Sequence, residues 1–166
     1  MSFEIEDSVL KKYIQEEGIK DVVVPDGISV IESWAFYRCK EIETVSMPNS
    51  VVRIGQSAFK WCSNMKEIKF SESLAHIEAC AFEECRDLSS IIIPQSIKES
   101  VMEMGNIVFA NCEELTSIKL STNMDQIGDQ FFYGCNPELC VFVEKECFAA
   151  KYTRRHKVKC IILGSI

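Results

Sequence analysis

The sequence predicts a single-domain solenoid in which short repeat units stack, with a parallel β-sheet along one face and short helical turns on the opposite face. Three observations predict this fold. A motif of the form Ala-Phe-x-x-Cys, or a decayed copy of it, occurs five times. Apolar residues recur at fixed positions around each copy, and each copy is followed by a short strand-like segment. One such unit cannot bury its apolar residues alone, so the units must stack on one another.

The spacing of the motif defines the repeat unit. Its cysteines are separated by 23, 23, 27 and 23 residues, which indicates one structural unit repeated along the chain. The motif cysteines are Cys39, Cys62, Cys85, Cys112 and Cys135. The motif phenylalanines are expected to form one buried column, and they are Phe36, Phe59, Phe82, Phe109 and Phe132. The cysteine column is expected to be a row of small buried hydrophobic side chains.

The strand of each unit lies a few residues after the motif. In the segment 42–47, Ile42, Val45 and Met47 have the apolar spacing of a short strand with one buried face. Pro48 ends this strand, and Pro94 ends a later one, because proline cannot donate to a β-ladder. Equivalent strands one unit apart run in the same direction, so the sheet is predicted to be parallel.

The ends of the chain are expected to cap the stack, because exposed edge strands pair with other chains. Within the single domain 1–166, we predict a hairpin cap at residues 1–17, five repeat units at 18–143, and a helix followed by a strand at 144–166. The fourth unit carries four extra residues between Pro94 and Phe109. This insertion is either a tolerated surface bulge or a loop that faces a partner.

The repeat unit resembles a known family. The segment 42–62, IETVSMPNSVVRIGQSAFKWC, is similar to the BspA-like, or Treponema-type, leucine-rich repeat, and the resemblance covers about residues 18–143. It implies a β-rich leucine-rich-repeat solenoid that acts as an interaction module, and many members of the family are found at cell surfaces. The chain departs from those members because its N-terminus does not read as an export signal.

Composition and charge narrow the classes of partner. The 166 residues carry a formal charge of −7, so a nucleic-acid partner is not expected. The last 23 residues are basic, which suits either a solvated cap or docking of an acidic partner.

No apolar run is long enough to cross a membrane, so membrane insertion is not expected. We expect a cytoplasmic protein, with export to the cell surface by an unrecognised route as the alternative.

No residues point to catalysis. The nine cysteines are an odd number with no C-x-x-C pair, so we expect reduced thiols, no disulfide and no metal site. The two histidines, His76 and His156, are not placed to activate a cysteine, and no phosphate-binding loop or hydrolase motif occurs. The sequence therefore predicts no catalytic residues, no cofactor and no enzyme activity.

The expected binding surface is the outward face of the strands. Lys69 and Lys119 flank Ile92 in one outward column, which suits an acidic peptide or one with a free C-terminal carboxylate. Apolar residues of the inserted segment next to Ile92 extend this surface. The candidate partner-binding residues are Val23, Lys69, Ile92, Lys119, Phe142, Ile97 and Met102. The expected partner is a protein or peptide, which the sequence does not identify further, and the oligomeric state is likewise open.

Overall fold

The computed structural model describes residues 2–97, 107–128 and 130–164, and it confirms the predicted solenoid. Each coil adds one short strand to a parallel column, here called the main strand column. Its members are β3 (Asp21–Val23), β5 (Thr44–Ser46), β7 (Glu67–Lys69), β9 (Ser90–Ile92), β10 (Ser117–Lys119), β11 (Cys140–Val143) and β12 (Lys159–Ile162). The register follows the repeat, since Val22 pairs with Val45 and Val45 pairs with Ile68.

The coils also form a second, shorter parallel ladder, which the sequence analysis did not predict. Its members are β4 (Val30–Ile31), β6 (Arg53–Ile54) and β8 (His76–Ile77). The N-terminal hairpin of β1 (Ser2–Glu6) and β2 (Val9–Ile14) joins this ladder, because β2 pairs in parallel with β4. The hairpin therefore covers the first coil through ordinary backbone pairing.

The side opposite the main strand column is built from turns and not from the short helices that were expected. In the first three coils, the residues two before and two after the motif phenylalanine have positive φ, and in the next two coils the residue two after it, Asn111 or Gly134, does so as well. Examples are Trp34 and Arg38, at 58° and 61°, and Ser57 and Trp61, at 54° and 67°. This conformation is unfavourable for residues with a Cβ. It is stabilised here because these turns donate backbone hydrogen bonds to the next coil, such as Arg38 N–H to the Lys60 carbonyl at 2.9 Å.

The phenylalanine column forms the centre of the core, with one correction to the expected set. The rings from Phe36 to Phe109 lie face to face, with centroids 4.6 to 5.4 Å apart. In the last unit, Phe131 is the buried ring and packs edge-on against Phe109, whereas Phe132 is only half-buried. The two large rings replace an Ala-Phe pair and compete for one space, so the prediction for Phe132 is wrong.

The cysteine column also stabilises the contact between coils. The thiol of Cys62 donates a hydrogen bond to the Phe36 carbonyl of the preceding coil at 3.1 Å. The same bond joins Cys85 to Phe59 at 3.2 Å, and the later cysteines of the column repeat it. The position therefore needs a small side chain that can also donate, which cysteine provides. Burial raises the pKa of the Cys62, Cys85 and Cys112 thiols well above the usual range.

The C-terminal cap is a helix followed by a strand. The helix α1 (Phe148–Arg155) buries Ala149, Ala150 and Tyr152 against the last coil. The Tyr152 hydroxyl donates to the Gly128 carbonyl, and β12 then pairs in parallel with β11. No helix in the described part of the chain is both long enough and apolar enough to cross a membrane.

The phenylalanine column gives the first testable prediction. Because Phe82 is fully buried between two stacked rings, Phe82→Ala should lower the free energy of unfolding by about 3–5 kcal/mol. Tyr133→Ala is the matched control, since Tyr133 is 65% exposed, and it should change the free energy by less than about 0.5 kcal/mol. Urea denaturation measures both values. Equal effects of the two variants would show that the ring column is not the core.

The cysteine column gives the second testable prediction. All nine cysteines are free thiols in the structure. A thiol reacts with disulfide reagents as the thiolate, so the raised pKa of Cys62, Cys85 and Cys112 should leave these three unreactive near pH 8 in the native protein. Titration with such a reagent should count nine thiols after unfolding in denaturant. A count of seven or fewer in freshly prepared protein, protected from oxidation and not treated with a reductant, would contradict the prediction.

Candidate functional site

The main strand column is interrupted once in its middle. Elsewhere in the column, the backbone N–H of Met47 donates to the Lys69 carbonyl at 3.1 Å, and that of Ile93 donates to the Lys119 carbonyl at 2.8 Å. The equivalent bond from Phe70 to Ile92 is missing, and no backbone hydrogen bond joins β7 to β9. The two strands remain neighbours, with Cα atoms within 8 Å of each other. The column is thus divided into a sheet of β3, β5 and β7 and a sheet of β9 to β12.

The side chain of Phe70 explains the interruption. Phe70 is buried, and its ring packs edge-on against Phe82 with centroids 5.6 Å apart. The other coils have an aliphatic side chain at this inward position, namely Val24, Met47, Ile93, Leu120 and Val143. An aromatic ring needs more width than these side chains, and interiors are too closely packed to absorb it without a shift. We attribute the missing backbone hydrogen bonds between β7 and β9 to this ring.

A cleft of about 610 Å³ opens at this interruption. Its apolar surface comes from Ile68, Phe70, Ile93 and the exposed Ile92. Its polar rim consists of Lys66, Glu67, Lys69, Glu72, Ser89, Ser90, Gln95 and Lys119. An apolar surface with a few charged groups on its rim is the usual composition of a ligand site.

The lysines of the rim differ in how they are paired. Lys66 contacts Glu43 at 2.7 Å, and Lys119 contacts Glu144 at 2.8 Å. Hydrogen bonds from Lys20 and Lys66 lower the pKa of Glu43 to about 2, so this carboxylate stays charged at neutral pH. Lys69 has no ion-pair partner among the described residues. Lys69 is therefore the cation of the rim that is available to a ligand.

The structure brings together three of the predicted partner-binding residues. Lys69, Ile92 and Lys119 line the same cleft. Val23 is 62% exposed, but it lies on β3, which is separated from β7 by β5. Phe142 is half-buried on β11, which is separated from β9 by β10. Ile97 is only 1% exposed, so the prediction that it contacts a partner is wrong.

The reason for the error at Ile97 is its place in the core. Its carbonyl accepts a hydrogen bond from the buried Ser121 hydroxyl at 3.1 Å, which fixes the segment against the next coil. Met102, the last candidate, lies outside the described residues, as does most of the inserted segment.

Other parts of the surface offer less to a ligand. Arg86 lies over the Trp61 ring at 5.8 Å, beside a shallow depression of about 300 Å³. Within residues 2–97, 107–128 and 130–164, no three His, Cys, Asp or Glu side chains are grouped closely enough to hold a metal ion. Cys80 is half-buried, and burial raises the pKa of its thiol, which makes it a poor nucleophile.

The repeats match a described protein family. The model of the BspA type Leucine rich repeat region matches residues 5–103 and 96–150, with six copies where the sequence analysis counted five units. No curated protein matches the sequence.

Solved structures of leucine-rich repeat proteins have the same fold. The chain is 30% identical to the leucine-rich repeat protein of T. pallidum, with a TM-score of 0.74, over 85% of this chain and 67% of that one. It is 29% identical to a leucine rich cell surface protein of Faecalibacterium prausnitzii, with a TM-score of 0.77, over 83% of this chain. The chain spans only 35% of the length of that protein. A protein of Bacteroides capillosus is 27% identical, with a TM-score of 0.58, over 75% of this chain and 93% of that one.

The interruption of the ladder predicts unequal hydrogen exchange. The amide of Phe70 should exchange roughly tenfold or more faster than those of Met47 and Ile93, because these two occupy equivalent positions and are paired. Exchange followed by NMR on the native protein measures all three rates. Equal protection of the three amides would mean that β7 and β9 are hydrogen-bonded in solution.

Proposed function

Because the chain belongs to the BspA type leucine-rich repeat family, we propose that it is a non-catalytic module that binds another protein through a short extended segment. The leucine-rich repeat fold is typical of protein-binding modules. The proposed binding site is the cleft between β7 and β9.

The observation that carries the proposal is the position of Ile92. Its side chain is 70% exposed in the cleft, between Lys69 and Lys119 of the same outward column. Covering an exposed isoleucine can stabilise a complex by about 1.5–3 kcal/mol, because apolar surface is removed from water. The unpaired Lys69 favours an acidic residue in the ligand next to the apolar contact.

The size of the cleft favours a short segment over a folded partner. A standard protein interface buries about 800 Å² on each partner. A cleft of about 610 Å³ instead lies within the range of sites that enclose small ligands or a few residues of an extended peptide. The main binding energy should therefore come from a few residues seated at Ile92.

The location of the protein is a separate part of the proposal. We propose a reducing intracellular compartment, supported by nine free cysteines, of which several are placed to act as thiol donors in the core. The alternative is the cell surface, because the Faecalibacterium prausnitzii relative is a leucine rich cell surface protein. Fractionation of the native cells distinguishes the two.

The proposed site is tested with a matched pair of variants. Dodecapeptides selected from a randomised phage-displayed library on the wild-type protein should bind Ile92→Asp at least roughly tenfold more weakly, because the apolar contact is lost and a carboxylate faces the acidic ligand. Val23→Asp is the control, since Val23 is similarly exposed in the same column, and it should leave the affinity unchanged. Fluorescence anisotropy with the synthetic peptides gives the dissociation constants.

Both variants should unfold within about 0.5 kcal/mol of the wild type, because each changes an exposed side chain. Equal binding by the wild type and Ile92→Asp would exclude the cleft as the site. Equal losses in the two variants would instead indicate an interface spread over the whole outward face.

A further inference from the structure

We propose that the ligand of the cleft binds as an additional β-strand between β7 and β9, with its main chain hydrogen-bonded to both. This inference rests on the proposed function of the cleft and specifies how the peptide is held. It follows from the backbone groups that the interruption leaves facing each other.

The first step is to identify those groups on β9. In a parallel ladder, successive residues direct their N–H and C=O groups alternately to the two neighbouring strands. Toward β10, the Ile93 N–H donates to Lys119, and the Ser89 carbonyl accepts from Thr116. The groups of Ser90 and Ile92 therefore point toward β7, where no residue within 2–97, 107–128 and 130–164 pairs with them.

The same alternation applies to β7. Toward β5, the Lys69 carbonyl accepts from Met47, and the Glu67 N–H donates to Glu43. The N–H and C=O groups of Ile68 and the N–H of Phe70 consequently point toward β9. Unpaired backbone groups away from bulk water are costly, so a ligand that pairs them gains binding energy.

The mixture of groups decides the chemistry of the ligand. Both edges present donors and acceptors in alternation, at the spacing of about two residues of strand, or roughly 6.6 Å. A carboxylate or phosphate only accepts hydrogen bonds and would leave the carbonyls unpaired. An extended peptide main chain offers donors and acceptors at the required spacing on both of its sides. The gap therefore fits a β-strand better than an isolated anion.

Insertion requires the two coils to separate on the strand side. Strands on either side of an inserted strand lie about 9.6 Å apart, whereas Cα atoms of β7 and β9 come within 8 Å of each other. The separation breaks no backbone hydrogen bond between these strands, because none is present. The turn side can act as the hinge, since Phe59 and Phe82 stack at 5.2 Å and the Cys85 thiol binds the Phe59 carbonyl there.

The side chains of the inserted strand should alternate like those of the solenoid itself. Its inward residues would lie between Ile68 and Ile91, which favours small apolar side chains. Its outward residue level with Lys69 and Ile92 should be acidic, since Lys69 has no ion-pair partner among the described residues, whereas Lys119 is paired with Glu144. At the other end, the carboxylate of Glu67 disfavours a second acidic residue.

The test uses a dodecapeptide from the phage-displayed library whose binding depends on Ile92. Each of its amides is methylated in turn, which removes one main-chain donor and leaves the side chains unchanged. Binding as a strand predicts that methylation weakens affinity roughly tenfold or more at successive positions through the bound core, because both edges of an inserted strand are paired. A strand bound at one edge only would lose affinity at every second position.

Hydrogen exchange on the complex supplies the second readout. The amides of Phe70 and Ile92 should become protected when the unmodified peptide is bound, while that of Ile93 stays as it was. Methylated peptides that bind unchanged, or Phe70 and Ile92 amides that stay unprotected in the complex, would overturn strand insertion and leave the proposed function standing. Sensitivity at every second position, with only one of these two amides protected, would likewise overturn insertion in favour of pairing at a single edge.

A different result would contradict the proposed function itself. If the library yields no peptide whose binding is lost in Ile92→Asp, the cleft is not a peptide site, and the inference fails with it. The two failures are distinguishable. Failure of the proposed function is seen in the binding of unmodified peptides to Ile92→Asp. Failure of strand insertion alone is seen with methylated peptides and in the hydrogen exchange of the complex.

Discussion

Each coil of this protein buries its apolar side chains only against the coils before and after it, and the rest of the structure depends on that constraint. The face-to-face rings from Phe36 to Phe109 are in contact because successive coils are in register. The thiol of each later motif cysteine reaches the phenylalanine carbonyl of the coil before it for the same reason. The unfavourable positive φ of residues such as Trp34 and Arg38 is tolerated because both donate hydrogen bonds to the next coil.

The sequence was sufficient to predict the structural elements that recur in every coil and are marked by large, regularly spaced side chains. The spacing of the motif located the strands and four of the five core phenylalanines, because a buried ring has few alternatives in a stacked core. The second ladder was missed because its strands are two residues long, such as Arg53–Ile54, and carry no alternating pattern. The positive φ of Ser57 and Cys80 was missed because no glycine marks these positions. The thiol donors of the cysteine column were likewise interpreted only as small apolar side chains.

The candidate site was only partly predictable, because it depends on a difference between coils. The outward positions of Lys69, Ile92 and Lys119 follow from the repeat, and these residues do line one cleft. The cleft itself depends on the separation of β7 from β9, which results from packing around Phe70. The sequence shows that Phe70 stands where the other coils have an aliphatic residue. It does not show how this ring affects the pairing of the strands. Ile97 was misplaced for a related reason, since an insertion beside an exposed residue does not show which side chains turn inward.

The position of the interruption within the stack makes it compatible with a stable fold. A solenoid is stabilised by interactions between neighbouring coils, so a weakened contact at one joint leaves the others unaffected. On one side of the joint, β3, β5 and β7 form a continuous sheet, and on the other side β9 to β12 form another. The phenylalanine and cysteine contacts continue across the joint on the turn side. The same stacking that gives every coil its stability thus allows the facing edges of β7 and β9 to stay unpaired in the middle of the protein.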